Sequence, residues 1–371
     1  MDNFDSENFL QEYWQKKPCV LRRAFSDPYW LEPDDLAGLA CEEGVEARII
    51  RGLSDKWSVE SGPFPEERFS TLPETQWTLL VQAVDQWVPD VRQILNHFSF
   101  LPSWRLDDIM VSYAPVGGTV SQHYDFFDVF LIQGVGSRKW QVGEVCGSHS
   151  ELLSDTSVRI LKRFEAVHEF ILEPGDVLYI PAKHSHYGVS VADSMTYSVG
   201  FRAPGVREIV DGIATEAMSS LLEDDRYIDT QDSLMANTGE IPDTAVEKVQ
   251  RMLVSALSDQ EMIRRWLGGY VTERKYSDFE LCVFNEGDWR EKIAAGEIVL
   301  KNPSSRFAYS RQILFADGIE YATSQQLARC LADSYPDEAL DLKCFLTDEM
   351  DSDALCSLVE AGCLIFADEQ V

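Results

Sequence analysis

The 371-residue sequence predicts an α+β fold. A jelly roll or barrel of short strands comes first, followed by a helical block and then a small winged-helix-like unit. Three observations predict it. Between about 106 and 203, runs rich in Val, Ile, Tyr and Phe are broken by Gly- and Pro-containing turns. From 206 to 275 apolar residues recur three and four apart. Beyond 276 strand-like runs return, mixed with short helical ones.

The elements follow in chain order. Residues 1–105 have a mixed pattern, and NFLQEYWQKKPCVLR and ETQWTLLVQAVDQWV both suit amphipathic helices flanking a β core. The strand segments are DDIMVSYAPV, FFDVFLIQGV, RKWQVGEV, HEFILEPGDVLYIPA and SMTYSVGFRA. Many short strands with turn signals between them predict a sandwich, jelly roll or barrel.

REIVDGIATEAMSSLLEDD and TAVEKVQRMLVSALSDQEMIRRWLGGY carry the helical period, joined by the loop RYIDTQDSLMANTGEIPD. That block is too small to bury both apolar faces by itself, so it is expected to pack on a second copy and make a homodimer. The last unit has strands in EIVLKNP and RFAYSRQILFADGIEYA, helices in TSQQLARCLADSY and DSDALCSLVEAG, and a final strand in CLIFAD. The expected boundaries are 1–205, 206–275 and 276–371.

Composition excludes several functions. A net charge of −31 repels phosphate backbones, whose binding rests on Lys and Arg, so direct nucleic-acid binding is not expected. The same field attracts a basic partner. TSQQLARCLADSY, where a DNA-binding winged helix would be basic, holds one Arg and one Asp, which points to protein contact. No run approaches the roughly 20 apolar residues of a membrane span. The acidic start, MDNFDSENFLQEYW, has no signal-peptide pattern, so a cytosolic protein is expected. Eight cysteines without a C-x-x-C pair suggest neither a zinc site nor a disulfide framework.

Chemistry concentrates in SQHYDFFDVFLIQGVGSRKW. His123 and Asp125 form an H-x-D pair at the head of a β segment, and residues two apart on a strand share a face. LEPGDVLYIPAKHSHYGVSV supplies a second imidazole at His186, with His184 two residues earlier on the same expected face. The tight Pro-Gly-Asp turn and strand-ending Pro precede a ligand His in cupin-like barrels. The spacing from His123 leaves room for the intervening strands of a double-stranded β-helix. Two His and one carboxylate on one face make the triad of non-haem Fe(II) oxygenases. Three positions then stay open, two for a 2-oxo acid and one for O2. His97, His149 and His168 lack such a context.

A 2-oxo acid such as 2-oxoglutarate needs a fixed cation for its far carboxylate, and arginine's fork binds carboxylates bidentately. In GSRKWQV, Arg138 shares strand parity with Trp140 and Val142 and should point inward, whereas Lys139 should point to solvent. Ser112 is a hydroxyl partner for the same carboxylate.

These strings, FDVFLIQG, LEPGDVLYIP and YSVGFRAP, resemble the bacterial ribosomal-oxygenase branch of the JmjC proteins, and the order of the three regions matches along nearly the whole chain. More narrowly they resemble its arginine hydroxylases of large-subunit ribosomal protein sixteen. The resemblance implies a JmjC-type double-stranded β-helix, a helical dimerisation region and a winged-helix-like domain. It places Fe(II) on His123, Asp125 and His186, and 2-oxoglutarate on Arg138 with Ser112. It implies O2-dependent hydroxylation of an arginine in a basic ribosomal protein, with release of succinate and CO2. Ala-Lys-His-Ser before the last ligand and Thr196 depart from the family pattern; Thr196, with Ala114, bears on the substrate pocket. Competing readings are hydroxylation of a histidine in another ribosomal protein, lysine demethylation, and a non-enzymatic cupin-type metal scaffold. The last has no need of an inward-facing Arg138.

Overall fold

The structure, a computed structural model, describes residues 1, 4–53, 56–154, 158–229, 239–276, 288–335 and 337–367. Its strands are β1 (Cys19–Leu21), β2 (Ala47–Leu53), β3 (Lys56–Ser61), β4 (Trp77–Val81), β5 (Leu106–Ala114), β6 (Asp128–Gln133), β7 (Arg138–Val145) and β8 (Ala166–Leu172). They continue with β9 (Val177–Ile180), β10 (His184–Ser190), β11 (Ser194–Phe201), β12 (Val299–Lys301), β13 (Phe307–Ser310), β14 (Ile313–Ala316), β15 (Ile319–Ala322) and β16 (Leu364–Phe366).

Two sheets face each other as a double-stranded β-helix. The larger has the order β1-β9-β6-β11-β5-β4-β2-β3, and the smaller is β10-β7-β8. Neighbours in both are antiparallel. Between the sheets lies an apolar layer of Val129, Leu131, Trp140, Val142, Leu178 and Ile180. The opposite face of the large sheet presents Phe130, Ile132, Tyr179 and Phe201 to the N-terminal helix Ser6–Glu12, whose Phe9 is fully buried. β6 is therefore buried on both faces, and its DVFLIQ sequence is a continuous run instead of an alternation.

The expectation of two flanking N-terminal helices is corrected. NFLQEYWQKKPCVLR forms only the short helix Ser6–Glu12, and its end is strand β1. ETQWTLLVQAVDQWV places WTLLV in strand β4, between β2 and β5, before a single helical turn Val84–Trp87. A strand with nearly every residue buried needs apolar side chains on both faces, and such a run is indistinguishable from a helix by periodicity.

Three helices follow the β-helix: Val206–Ser220, Asp243–Leu257 and Gln260–Thr272. The TAVEKVQ…GGY segment breaks into two because Asp259 caps the third helix, accepting from the Glu261 amide. Half of the joining loop, residues 230–238, lies outside the described residues. Val210, Met218, Leu222, Val249, Leu253 and Val254 stay exposed on this block. The C-terminal unit combines the helix Asp288–Ala295, the pair β12-β16, the sheet β13-β14-β15 and the helices Gln325–Asp333 and Glu349–Glu360 around its own core. Among the described residues no helix is long and apolar enough to cross a membrane.

Candidate metal centre

His123 precedes β6, in a bend joined to β10 by one antiparallel bridge. Its amide donates to the His186 carbonyl at 3.0 Å, and the His186 amide returns a 2.8 Å bond. This pairing holds the two imidazoles with ring centroids 4.2 Å apart. Asp125 follows two residues on. Its Oδ2 lies 3.7 Å from His123 Nε2 and 3.5 Å from His186 Nε2. Its backbone is fixed by the Lys183 amide, which donates to the Asp125 carbonyl at 2.6 Å.

Both imidazoles are set by one device. His123 Nδ1 donates to the Ser121 carbonyl at 2.9 Å, and His186 Nδ1 donates to the His184 carbonyl at 3.0 Å. The proton sits on Nδ1, so the Nε2 lone pair of each ring faces Asp125. Burial, followed by the neighbouring His123, pushes His186 down to about 4 against the pull of Asp125, leaving a neutral imidazole. The three ligand atoms lie within 4.8 Å of one another. They are the one such His/Cys/Asp/Glu cluster among the described residues.

His184 does not join them. Its carbonyl orients His186, while its own Nδ1 is buried without a partner. The β10–β7 register shifts between the two histidines, so the sequence parity that made them equivalent does not hold. His168 is exposed on β8, and His97 packs on Phe25.

Arg138 points inward as expected and is only 6% exposed, whereas Lys139 faces out and pairs with Glu169 at 2.9 Å. The Arg138 Nη1 donates to Ser112 Oγ at 3.2 Å and its Nε to Ser190 Oγ at 3.3 Å; Nη2 is buried with no partner. Ser190 shares its hydroxyl bond with Ser194 at 2.8 Å, and Ser112 donates to the Thr196 carbonyl. Thr196 itself is buried, its Oγ1 donating to Gln133. Among the described residues no carboxylate pairs with the guanidinium, and burial pushes it down to about 10.

The register ties this cation to the histidines. On β10, His186, Gly188 and Ser190 share a face and pair with Val142, Trp140 and Arg138 of β7. Four residues separate His186 from Ser190, about 13 Å along a strand. Trp140 fills the interval, its ring 6.0 Å from that of His186 and 5.8 Å from Arg138 Cζ. Gly188 makes room for it, since a Cβ there would lie 2.7 Å from Trp140 Cη2. Ser190 and Trp140 escape a reading by residue type, and only the strand pairing reveals them.

The donor set fits a divalent transition ion held from one side, two neutral imidazoles and a carboxylate. The unsatisfied Nη2 of a buried, uncompensated arginine fits a carboxylate arriving from solution. The β-helix and its triad define a JmjC protein, and a model of the JmjC domain matches residues 93–209. Over 297 residues the chain is 39% identical to the probable ribosomal oxygenase of Haemophilus influenzae, covering 77% of this chain and 72% of the relative. It is 38% identical over 277 residues to the ribosomal protein uL16 3-hydroxylase of Escherichia coli, covering 72% of each. An X-ray structure of E. coli YcfD superposes with a TM-score of 0.88 at 31% identity, spanning 98% of both chains. YcfD in complex with cobalt and 2-oxoglutarate gives 0.86 at 32% identity, over 98% of this chain and 99% of that one. The chain belongs to the JmjC-type ribosomal oxygenases.

Proposed function

We propose that this chain is an Fe(II)- and 2-oxoglutarate-dependent hydroxylase of an arginine in ribosomal protein uL16, releasing succinate and CO2. The observation that carries the reading is the pairing of the His123–Asp125–His186 cluster with an uncompensated Arg138 on the same inner face. The relative named for uL16 hydroxylation and the YcfD complex with cobalt and 2-oxoglutarate support it.

His123, Asp125 and His186 would hold the iron, which supplies activation of O2 coupled to oxidation of 2-oxoglutarate. The chain's own residues position and shield. The Ser121 and His184 carbonyls keep each Nδ1 protonated and each Nε2 free to bind. Ser112 and Ser190 hold the Arg138 fork ready for the far carboxylate, and Trp140 lies between Arg138 and His186. Asp125 is the most open of the three ligands, its side chain 42% exposed, which sets the substrate approach on its side. The net charge of −31 favours a basic substrate.

Purified chain with Fe(II), 2-oxoglutarate, O2 and uL16 is expected to add the mass of one oxygen to an arginine-containing peptide, with succinate formed in step. Asp125→Ala is expected to abolish both. Succinate formation equal in wild type and Asp125→Ala would leave only a scaffold. Oxygen added to a histidine of another ribosomal protein would move the substrate within the family.

The helical block 206–275 supports a homodimer, because Val249, Leu253 and Val254 lie exposed along the helix Asp243–Leu257, which has no buried residue. Leu253→Lys is expected to convert a dimer into a monomer by light scattering. A monomeric wild type would remove the proposal. The surface charge also supports the absence of direct nucleic-acid binding, and the acidic winged-helix-like unit 276–371 suits a protein contact.

A further inference from the structure

A pocket with both apolar and charged walls lies away from the metal centre, between the β-helix and the C-terminal unit. It holds about 160 Å³, well above the roughly 10–15 Å³ that one water requires. Its β-helix wall includes Asp85, Arg92 and Asp107; its C-terminal wall includes Lys301, Arg306 and Asp337.

The charges do not balance where they sit. Asp107 is saturated by Arg306 at 3.0 Å and Lys275 at 3.1 Å, and Arg306 is spent on it and on the Leu106 and Asp107 carbonyls. Asp85 accepts from the Ile109 amide at 2.7 Å, and burial followed by Asp108 raises it to about 7, so only about half of it is ionised at neutral pH. Asp337 takes Arg92 Nε at 3.1 Å. Arg92 is 4% exposed, and its Nη1 is buried with no acceptor. Lys301 donates to the Ser334 carbonyl at 2.7 Å and has no carboxylate within ion-pair reach among the described residues. Burial lowers it to about 8, against a weaker opposing pull from Glu338 and Asp333. Ser304 adds a buried hydroxyl to the same wall, its proton given to Asn302 Oδ1.

Two cations from different units thus border one space, Lys301 holding a single carbonyl and Arg92 with its Nη1 unmet, and an acceptor carrying negative charge would serve both. We propose that this cavity binds a small oxyanion, of the inorganic phosphate class, which ties Arg92 of the β-helix to Lys301 of the C-terminal unit. The site is independent of the iron chemistry.

The test titrates inorganic phosphate into the full-length protein at constant ionic strength, with chloride as the control. Calorimetry and the unfolding midpoint are both followed. Saturable binding and a raised midpoint are expected with phosphate and not with chloride. Lys301→Met is expected to weaken phosphate at least tenfold, while Lys301→Arg, which keeps the charge, retains it. Arg92 also holds Asp337, so the Lys301 pair avoids a variant that fails to fold. Crystals grown with phosphate should show it between the two side chains. Stabilisation no greater than with chloride, equal affinity in Lys301→Met, or ordered water alone in the cavity would overturn the proposal.

Discussion

Replacing Arg138 with Met separates the cost of burying a cation from its use. In the ligand-free protein the guanidinium sits at 6% exposure with two hydroxyls for company and no carboxylate. Burial moves it from 12.5 to about 10, and at about 1.4 kcal/mol per unit this is a penalty of about 3 kcal/mol on the charged form. The sign is fixed, because a base lowered on folding destabilises the fold wherever it stays charged, which includes neutral pH. Met fills a similar volume, and Ser112 and Ser190 keep the Thr196 carbonyl and Ser194 as partners. The ligand-free variant should therefore be as stable as wild type, or up to about 3 kcal/mol more stable.

Binding should move the other way. Truncating one partner of a buried, hydrogen-bonded charge pair costs about 2–5 kcal/mol, so affinity for 2-oxoglutarate should fall at least about thirtyfold. Saturating 2-oxoglutarate at a hundred times the wild-type Kd should add about 2.7 kcal/mol to wild type and no more than about 0.9 kcal/mol to the variant. Anaerobic calorimetry with Mn(II) measures the first quantity, and urea unfolding with and without 2-oxoglutarate the second. A variant that binds 2-oxoglutarate like wild type, or loses several kcal/mol without ligand, would refute the reasoning.

Two further outcomes follow from the packing. Asp85 is raised from 3.8 to about 7, so its contribution is present in full below pH 4 and is lost as pH rises through 7. About 4 kcal/mol is at stake, and Asp85→Asn should flatten the decline of stability between pH 4 and pH 8 in denaturant titrations; an unchanged slope would count against it. Gly188→Ala places a methyl 2.7 Å from Trp140 Cη2, and overpacking of this kind costs about 1–3 kcal/mol. The displaced indole borders His186 and Arg138, so the unfolding midpoint and 2-oxoglutarate affinity should fall together; a change in neither would place Trp140 outside the site.

The site was more legible in the sequence than the fold around it. The H-x-D string marks His123 and Asp125, although both lie in the stretch before β6, where a single bridge to β10 and not strand parity brings them together. PGDVLYIP announces β9 and the turn into the strand that carries His186. Arg138 was legible because its strand parity with Trp140 and Val142 is opposite to that of the solvent-facing Lys139. Parity failed at His184, where the register with β7 shifts, a long-range property of two strands that neither strand's sequence states. It failed again in WTLLV, since a central strand buried on both faces has no alternation to read. Ser190 was invisible for a related reason: a serine gains meaning only from the residue opposite it, and that partner lies 52 positions away.

The most direct test of the account is a crystal structure prepared without oxygen in Fe(II) and 2-oxoglutarate, with anomalous data at the iron edge. It should show one iron bonded to His123 Nε2, Asp125 and His186 Nε2, with the far carboxylate of 2-oxoglutarate on Arg138. Iron bound through His184, or a carboxylate seated away from Arg138, would contradict it.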